Sequence, residues 1–286
     1  MRVFLAGATG SVGFEFAQLA KAQGHYLHTL SRSPENARKL AGLADRVDLQ
    51  DACAAVPILE EIDVVVSALG APITMRSSEK RRYGEVDLPA NTKLLEAARA
   101  ARVRRFVYVS VHVEVGYRDT AYIRAHETFV EMLRHSGLSY SLIRPTGIFP
   151  ALRDFMDMAQ KGLGTVVGNG MAHTNPVHQA DVAKLLLENL DSGAAEISIG
   201  GPDIFTRREI AELAFHVLGK RPRIMRLPAA VLRAGAAVAG IVNPRVGELL
   251  EFATAVSTTE CVAPRTGQLR LEDYFGSLRT ATTHGS

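Results

Sequence analysis

The 286-residue chain (30.9 kDa) is 47% hydrophobic and 22% charged, enough apolar material to bury a large core without disulfides or metal. Lys and Arg number 33 against 30 Asp and Glu, a net charge of +3, and that balance lends little support to a nucleic-acid or membrane-surface role. Two cysteines, Cys53 and Cys261, are too few for a disulfide framework and lack zinc-site spacing, so no metal is expected and a reducing cytoplasm suits the composition.

The chain opens on an apolar run too short for a signal peptide. From there short apolar runs alternate with helical patterns, as a parallel sheet with crossover helices requires. Strands are predicted at Arg2–Ala6, Tyr26–Leu30, Arg46–Leu49, Asp63–Ala68, Phe106–Ser110 and Ser139–Arg144, with helices near Phe14–Gln23, Leu88–Ala101 and Thr120–His135. This is the pattern of an α/β fold with a doubly wound parallel sheet over residues 1–150. Beyond Pro145 the glycines at 162, 164, 168 and 170 predict a loop before a short helix at His178–Leu190. Asp181 is expected to cap or anchor that helix. Thr206 and Glu209 form a capping-box pattern opening a helix to Leu218, and helices follow near Ala229–Ala239 and Arg245–Ala255. Residues 151–279 are therefore read as a substrate-pocket region and a small, mostly helical C-terminal lobe interleaved with the sheet, and 280–286 as a polar tail.

The longest apolar stretch, Pro228–Val242, is broken by Arg233 and falls short of the ~20 residues that span a bilayer. It predicts a buried or amphipathic helix, so no membrane span is expected. The basic clusters Lys80–Arg82 and Arg102–Arg105 read as solvated turns without the interleaved aromatics that stack on nucleic acid. Phe149, Phe155, Met156 and Met158 either line an apolar pocket or pack in the core.

The most informative segment is Gly7-Ala8-Thr9-Gly10-Ser11-Val12-Gly13, directly after the first strand and before an amphipathic helix. Glycines there permit a tight turn and close approach of a pyrophosphate to the exposed amides of the helix N-terminus, a Rossmann-type dinucleotide site. An acidic residue at the end of the second strand would accept the 2′-hydroxyl of NAD. Here that end reads Ser31-Arg32-Ser33. The arginine fork and two hydroxyls suit a 2′-phosphate, so NADP(H) is the expected cofactor.

The glycine fingerprint, the runs Asp63–Gly70 and Arg104–Ser110, and Ser136–Pro145 together resemble an atypical short-chain dehydrogenase/reductase. The chain is most similar to the NmrA-like, NAD(P)H-binding branch. That branch holds quinone and dye reductases, isoflavone-type reductases and non-catalytic redox sensors. The resemblance spans residues 1 to about 190. It implies that Thr9 to Gly13 cradle phosphates, that Asp48 and Leu49 flank the adenine, that Ala68, Leu69 and Gly70 pass the ribose, and that Pro145, Thr146 and Gly147 lie near the nicotinamide.

Many relatives with alcohol or sugar chemistry carry Tyr-x-x-x-Lys, the lysine lowering the tyrosine pKa. This chain has Tyr122 and His126 at that spacing. Residues four apart share a helix face, yet a histidine is mostly neutral at pH 7 and lends little field to a phenolate. The usual assisting serine has only Ser110 to match it. The expected activity is therefore NADP(H)-dependent reduction of a small, conjugated, apolar, quinone-like acceptor by direct hydride transfer, with Tyr122, His126 and Ser110 as candidate catalytic residues. A non-catalytic NAD(P)H sensor acting through a protein partner and a nucleotide-sugar epimerase or dehydratase are the alternatives. No nucleic-acid partner is expected, and a homodimer is compatible with the sequence.

Overall fold

Val3, Phe4 and Leu5 in the first apolar run and Val64 to Val66 in the fourth are fully buried. Strands apolar on successive residues have no solvent face, so they belong in a sheet covered by helices on both sides. A computed structural model, which describes residues 1–53, 56–70, 73 and 81–283, shows this arrangement. Strands β1 (Arg2–Ala6), β2 (Tyr26–Ser31), β3 (Arg46–Leu49), β4 (Val64–Ser67), β5 (Arg105–Val109) and β6 (Ser139–Pro145) alternate with helices α1 (Ser11–Ala22), α2 (Pro34–Arg38), α3 (Tyr83–Ala100) and α4 (Ala121–Arg134). Next come α5 (Arg153–Gln160), β7 (Gly164–Val167), β8 (His173–Thr174), α6 (Gln179–Glu188), β9 (Glu196–Ile199), β10 (Phe205–Thr206), α7 (Arg207–Val217) and β11 (Ile224–Leu227). Helices α8 (Ala229–Val242), α9 (Pro244–Ser257) and α10 (Leu271–Thr283) complete the chain.

The main sheet is parallel throughout, in the order β3-β2-β1-β4-β5-β6-β9. Its order reverses between β1 and β4, the switch point at whose carboxyl edge ligands bind in such sheets. Phe16 and Ala20 of α1 and Val182 and Leu186 of α6 cover one face over Leu5, Val66 and Ile143. Leu94 and Ala98 of α3 and Phe129 and Leu133 of α4 cover the other, over Phe4, Val65 and Phe106.

Several expectations are corrected. A seventh strand, β9, joins the sheet beside β6 from beyond residue 190. Helix α3 begins at Tyr83 rather than Leu88 and carries Pro89 inside it. The glycine-rich segment contains β7, which pairs in parallel with β11. Arg105 is no solvated turn residue: it is buried in β5 and donates to the Ser139 and Ser141 hydroxyls and to the Asn189 and Gly193 carbonyls. Of the two basic clusters, Lys80 lies outside the described residues. Helix α10 runs through Thr283, past the point at which a polar tail is expected.

In the C-terminal lobe, Phe149 and Met156 are core residues, packed with Ile210, Phe215, Leu271 and Phe275. Thr206 caps α7 in the expected capping box, its hydroxyl accepting from the Glu209 amide at 3.1 Å. Helices α8 and α9 form a hairpin that crosses through glycine: a Cβ on Gly247 would lie 2.6 Å from the Gly240 Cα. Helix α8 is neither buried nor amphipathic in the expected sense. Ala236 is its one buried residue, while Val231, Val238, Ile241 and Val242 are exposed.

Candidate functional site

The chain leaves β1 through Gly7, whose φ of +86° favours glycine and where a Cβ would meet the Ala68 carbonyl oxygen at 2.5 Å. The turn closes with the Gly10 amide donating to the Gly7 carbonyl at 3.0 Å. At Gly13 a Cβ would lie 2.2 Å from that same Gly7 oxygen, so only glycine lets α1 pack against the turn. Thr9 and Gly10 are exposed, no side chain caps α1, and its first turn carries no carboxylate. The amides of Ser11, Val12 and Gly13 stand at the positive end of the helix, a geometry that fits a pyrophosphate.

At the end of β2, the Ser31 hydroxyl donates to the Ser33 carbonyl at 2.9 Å, and the Ser33 hydroxyl caps α2 by accepting from the Asn36 amide at 3.3 Å. Arg32 is exposed between them. Asp48 turns its carboxylate toward His28 Nε2 at 2.8 Å and Arg46 Nε at 2.9 Å, which leaves Leu49 as the exposed apolar group at the end of β3.

Ala68, Leu69 and Gly70 follow β4, where the Ser67 hydroxyl meets Asn91 Oδ1 at 2.5 Å. Pro145, Thr146 and Gly147 follow β6. The Thr146 hydroxyl donates to the Asn175 carbonyl at 2.6 Å, and the Asn175 side chain in turn grips the Ala263 backbone in both directions. Ser110, at the end of β5, is buried with no hydrogen-bond partner for its Oγ among the described residues. All three segments lie at the carboxyl edge of the sheet, with the glycine turn. The cradle that added Cβ atoms would fill and the orphaned Ser110 hydroxyl both fit a bound dinucleotide.

Tyr122 and His126 do come together, their rings 4.7 Å apart on one face of α4. His126 Nδ1 shares a 2.6 Å hydrogen bond with the Tyr108 hydroxyl, which leaves Nε2 facing the Asp87 carboxylate at 3.9 Å. Tyr83 and Phe252 pack on the Tyr122 ring at 5.1 and 4.8 Å. Burial, with the Arg144 charge, lowers the His126 pKa to about 4. Burial, with Asp87 and Tyr83, pushes the Tyr122 phenol above its ordinary value. A neutral imidazole beside a protonated phenol is the reverse of a tyrosine activated by lysine. No hydrogen bond among the described residues joins Ser110 to either ring.

Sequence reasoning missed the residues that enclose this pair. Tyr108 offered a signal, since it precedes Ser110 by one strand period; Tyr83, Asp87 and Phe252 offered none. Arg144 was legible only as the last residue of the sixth predicted strand. It is a buried tie, clamping Glu127 of α4 at 2.6 and 3.3 Å, Glu196 of β9 at 3.3 Å and the Val111 carbonyl at 3.1 Å. Asp181 is an anchor rather than a cap: it accepts from the Gln268 and Leu269 amides, while His178 caps α6. A cavity of about 730 Å³ lies between the turn at 115–120 and the α8–α9 hairpin, walled by Arg82, Tyr117, Arg233, Glu248 and Glu251 and by none of the glycine-turn residues. Among the described residues, no group of three or more His, Cys, Asp or Glu could hold a metal ion, and no helix is long and apolar enough to cross a membrane.

The chain is 27% identical over 247 residues to the photosystem II assembly factor Ycf39 of Synechocystis, covering 82% of this chain and 72% of that one. It is 27% identical over 252 residues to a chloroplastic divinyl chlorophyllide a 8-vinyl-reductase of Oryza sativa, covering 81% and 62%. Among solved structures it is similar to an NADPH-dependent quinone oxidoreductase of Escherichia coli in complex with NADPH, with a TM-score of 0.77, 17% identity and coverage of 97% and 99%. It is also similar to the leucoanthocyanidin reductase of Vitis vinifera with NADPH, with a TM-score of 0.71, 18% identity and the same coverage. The profile of the NAD(P)H-binding family matches residues 7–193, which hold the glycine turn, Arg32, Ser110 and the Tyr122–His126 pair. The chain belongs to this NAD(P)H-binding family, with structural neighbours among the atypical short-chain dehydrogenase/reductases.

Proposed function

We propose that the protein is an NADPH-dependent reductase of a small, flat, conjugated acceptor. The observation that carries this reading is the Tyr122–His126 pair: a phenol and an imidazole both buried and neutral at pH 7 do not form an acid–base couple activated by a cation. Epimerase or dehydratase chemistry gains no support from such a pair. When bound, the nicotinamide would supply a hydride, and a conjugated acceptor would take that hydride and a proton from solvent with no acid–base couple in the protein. The chain's own task is then to bind, orient and exclude water. In this reading the Ser11, Val12 and Gly13 amides with Thr9 hold the pyrophosphate, Arg32 with Ser31 and Ser33 holds the 2′-phosphate, and Leu49 packs on the adenine. Ala68 to Gly70 flank the ribose, and Pro145 to Gly147 with the Ser110 hydroxyl bound the nicotinamide. Relatives named for reduction of a quinone and of a vinyl group support this choice of acceptor.

NADPH oxidation followed across a panel of quinones and cationic dyes tests the proposal. Turnover is expected, and Tyr122→Phe is expected to keep at least about a tenth of it, below the ~10²–10⁴-fold loss that removal of a placed general acid produces. A thousandfold loss with NADPH still bound would return the chain to tyrosine-dependent chemistry. NADPH is expected to bind roughly 10- to 150-fold more tightly than NADH, a preference lost in Arg32→Ala. Tyr83 and Phe252 packed over Tyr122 favour a second reading, a dinucleotide sensor; tight NADPH binding with no turnover on any acceptor would select it.

A further inference from the structure

We infer that α8 is a docking face for an anionic lipid surface. At 3.6 residues per turn, Ala230, Val231, Ala234, Val238, Ile241 and Val242 fall on one side of this helix, opposite the Ala236 and Gly240 that meet α9. That side holds no polar side chain. Val238, Ile241 and Val242 expose 67%, 84% and 87% of their surface, more than a packed helix face leaves in water.

Charge identifies the occupant. From Leu213 to Gly247 the chain carries Lys220, Arg221, Arg223, Arg226, Arg233 and Arg245 and not one carboxylate. A net charge of +3 over the whole chain conceals this local excess. Arg221, Arg223 and Arg226 are exposed and form no ion pair among the described residues, whereas Arg233 lines the inner cavity with Glu248 and Glu251. The carboxylates that bound this stretch are Glu212, which pairs with Arg208, and Glu248 and Glu251, which line the cavity on the inner side of α8. Met225 adds a further exposed apolar side chain on β11, immediately before the helix.

An apolar helix face preceded along the chain by exposed arginines that form no ion pair is the pattern of a helix lying in the plane of a bilayer interface, its aliphatic side chains among the acyl ends and the neighbouring cations at the headgroups. At 14 residues α8 is too short to span. A second copy of this chain would present the same cations to one another with no carboxylate to meet them, which disfavours a two-fold contact through this face.

The 286-residue chain has no tryptophan and gives a clean probe, because Val238→Trp places a single indole on the face. On mixing with phosphatidylcholine vesicles containing phosphatidylglycerol, its emission is expected to shift to the blue and the protein to sediment with the vesicles. Pure phosphatidylcholine vesicles, or raised salt, should abolish both. Ile241→Asp with Val242→Asp, and separately Arg223→Glu with Arg226→Glu, are expected to cut the bound fraction tenfold or more, with NADPH affinity and melting temperature unchanged as controls for folding. Equal binding to neutral and anionic vesicles, wild-type binding by either double variant, or no vesicle binding would each overturn the proposal. So would a dimer in solution that Ile241→Asp with Val242→Asp dissociates.

Discussion

His126 titrates at about 4 in the folded chain, against an ordinary value of 6.5. Between those values the unfolded chain binds a proton that the folded one refuses. The stabilisation is therefore complete above pH 6.5 and is lost as pH falls toward 4, on the order of 2 kcal/mol between pH 7 and pH 5. His28, also lowered by burial, adds in the same direction, so the contribution of His126 is read as the difference between wild type and His126→Gln. Urea midpoints are expected to fall over this window in the wild type and to fall less in the variant; parallel curves would remove His126 from the account. At Gly13 the obstacle is backbone, the Gly7 carbonyl 2.2 Å from a Cβ, and backbone does not swing aside as a side chain does. Gly13→Ala is expected to cost about 1–3 kcal/mol of stability and tenfold or more in NADPH affinity, measured by thermal melting and calorimetric titration. The turn at glycines 7, 10 and 13 and the strand end before Arg32 were legible because both are local. The enclosure of Tyr122 was not, because Tyr83, Asp87 and Phe252 reach it from two other helices far along the chain.

Strands β1, β2, β4, β5 and β6 could be read from sequence because most of their residues are buried, as in Val64–Ser67, and β3, which has no buried residue, by its place in the alternation of strands and helices. Strand β9 was missed although Glu196, Ile197, Ser198 and Ile199 alternate polar and apolar, because four residues with only Ile199 buried give too short a signal. The burial of α8 was misjudged for a different reason. A helix apolar but for Arg233 reads as a buried or amphipathic one, and nothing in its periodicity tells which side meets protein and which meets something else. What fixes α8 in place is one crossing, Gly240 on Gly247, with the Ala236 carbonyl 3.0 Å from a Cβ at Gly247. Gly247→Val forces the hairpin apart against backbone. A loss of about 1–3 kcal/mol is expected, accompanied by loosening of Phe252 of α9 from the Tyr122 ring. The melting temperature reports the first. A wild-type melting temperature in this variant would mean that the two helices slide without cost.

Across the whole molecule, the C-terminal half is stitched into the dinucleotide half rather than appended to it. β9 pairs with β6, α6 packs on α1, and the Thr146 hydroxyl donates to the Asn175 carbonyl. A fragment ending at Leu190 keeps every strand that the sequence predicts and still leaves the β6 edge bare. It is expected to be insoluble; a soluble, monomeric fragment that binds NADPH would show β9 to be dispensable. That distance along the chain also sets a clock during synthesis. About fifty residues separate the end of β6 from the start of β9, so at roughly 5–20 residues per second the ribosome leaves an apolar strand edge uncovered for about 3–10 s. The time a newborn chain spends open to its neighbours is thus governed by how fast residues 146–195 are translated, and codon choice in that stretch, which alters no side chain, becomes a determinant of how much protein reaches the folded state.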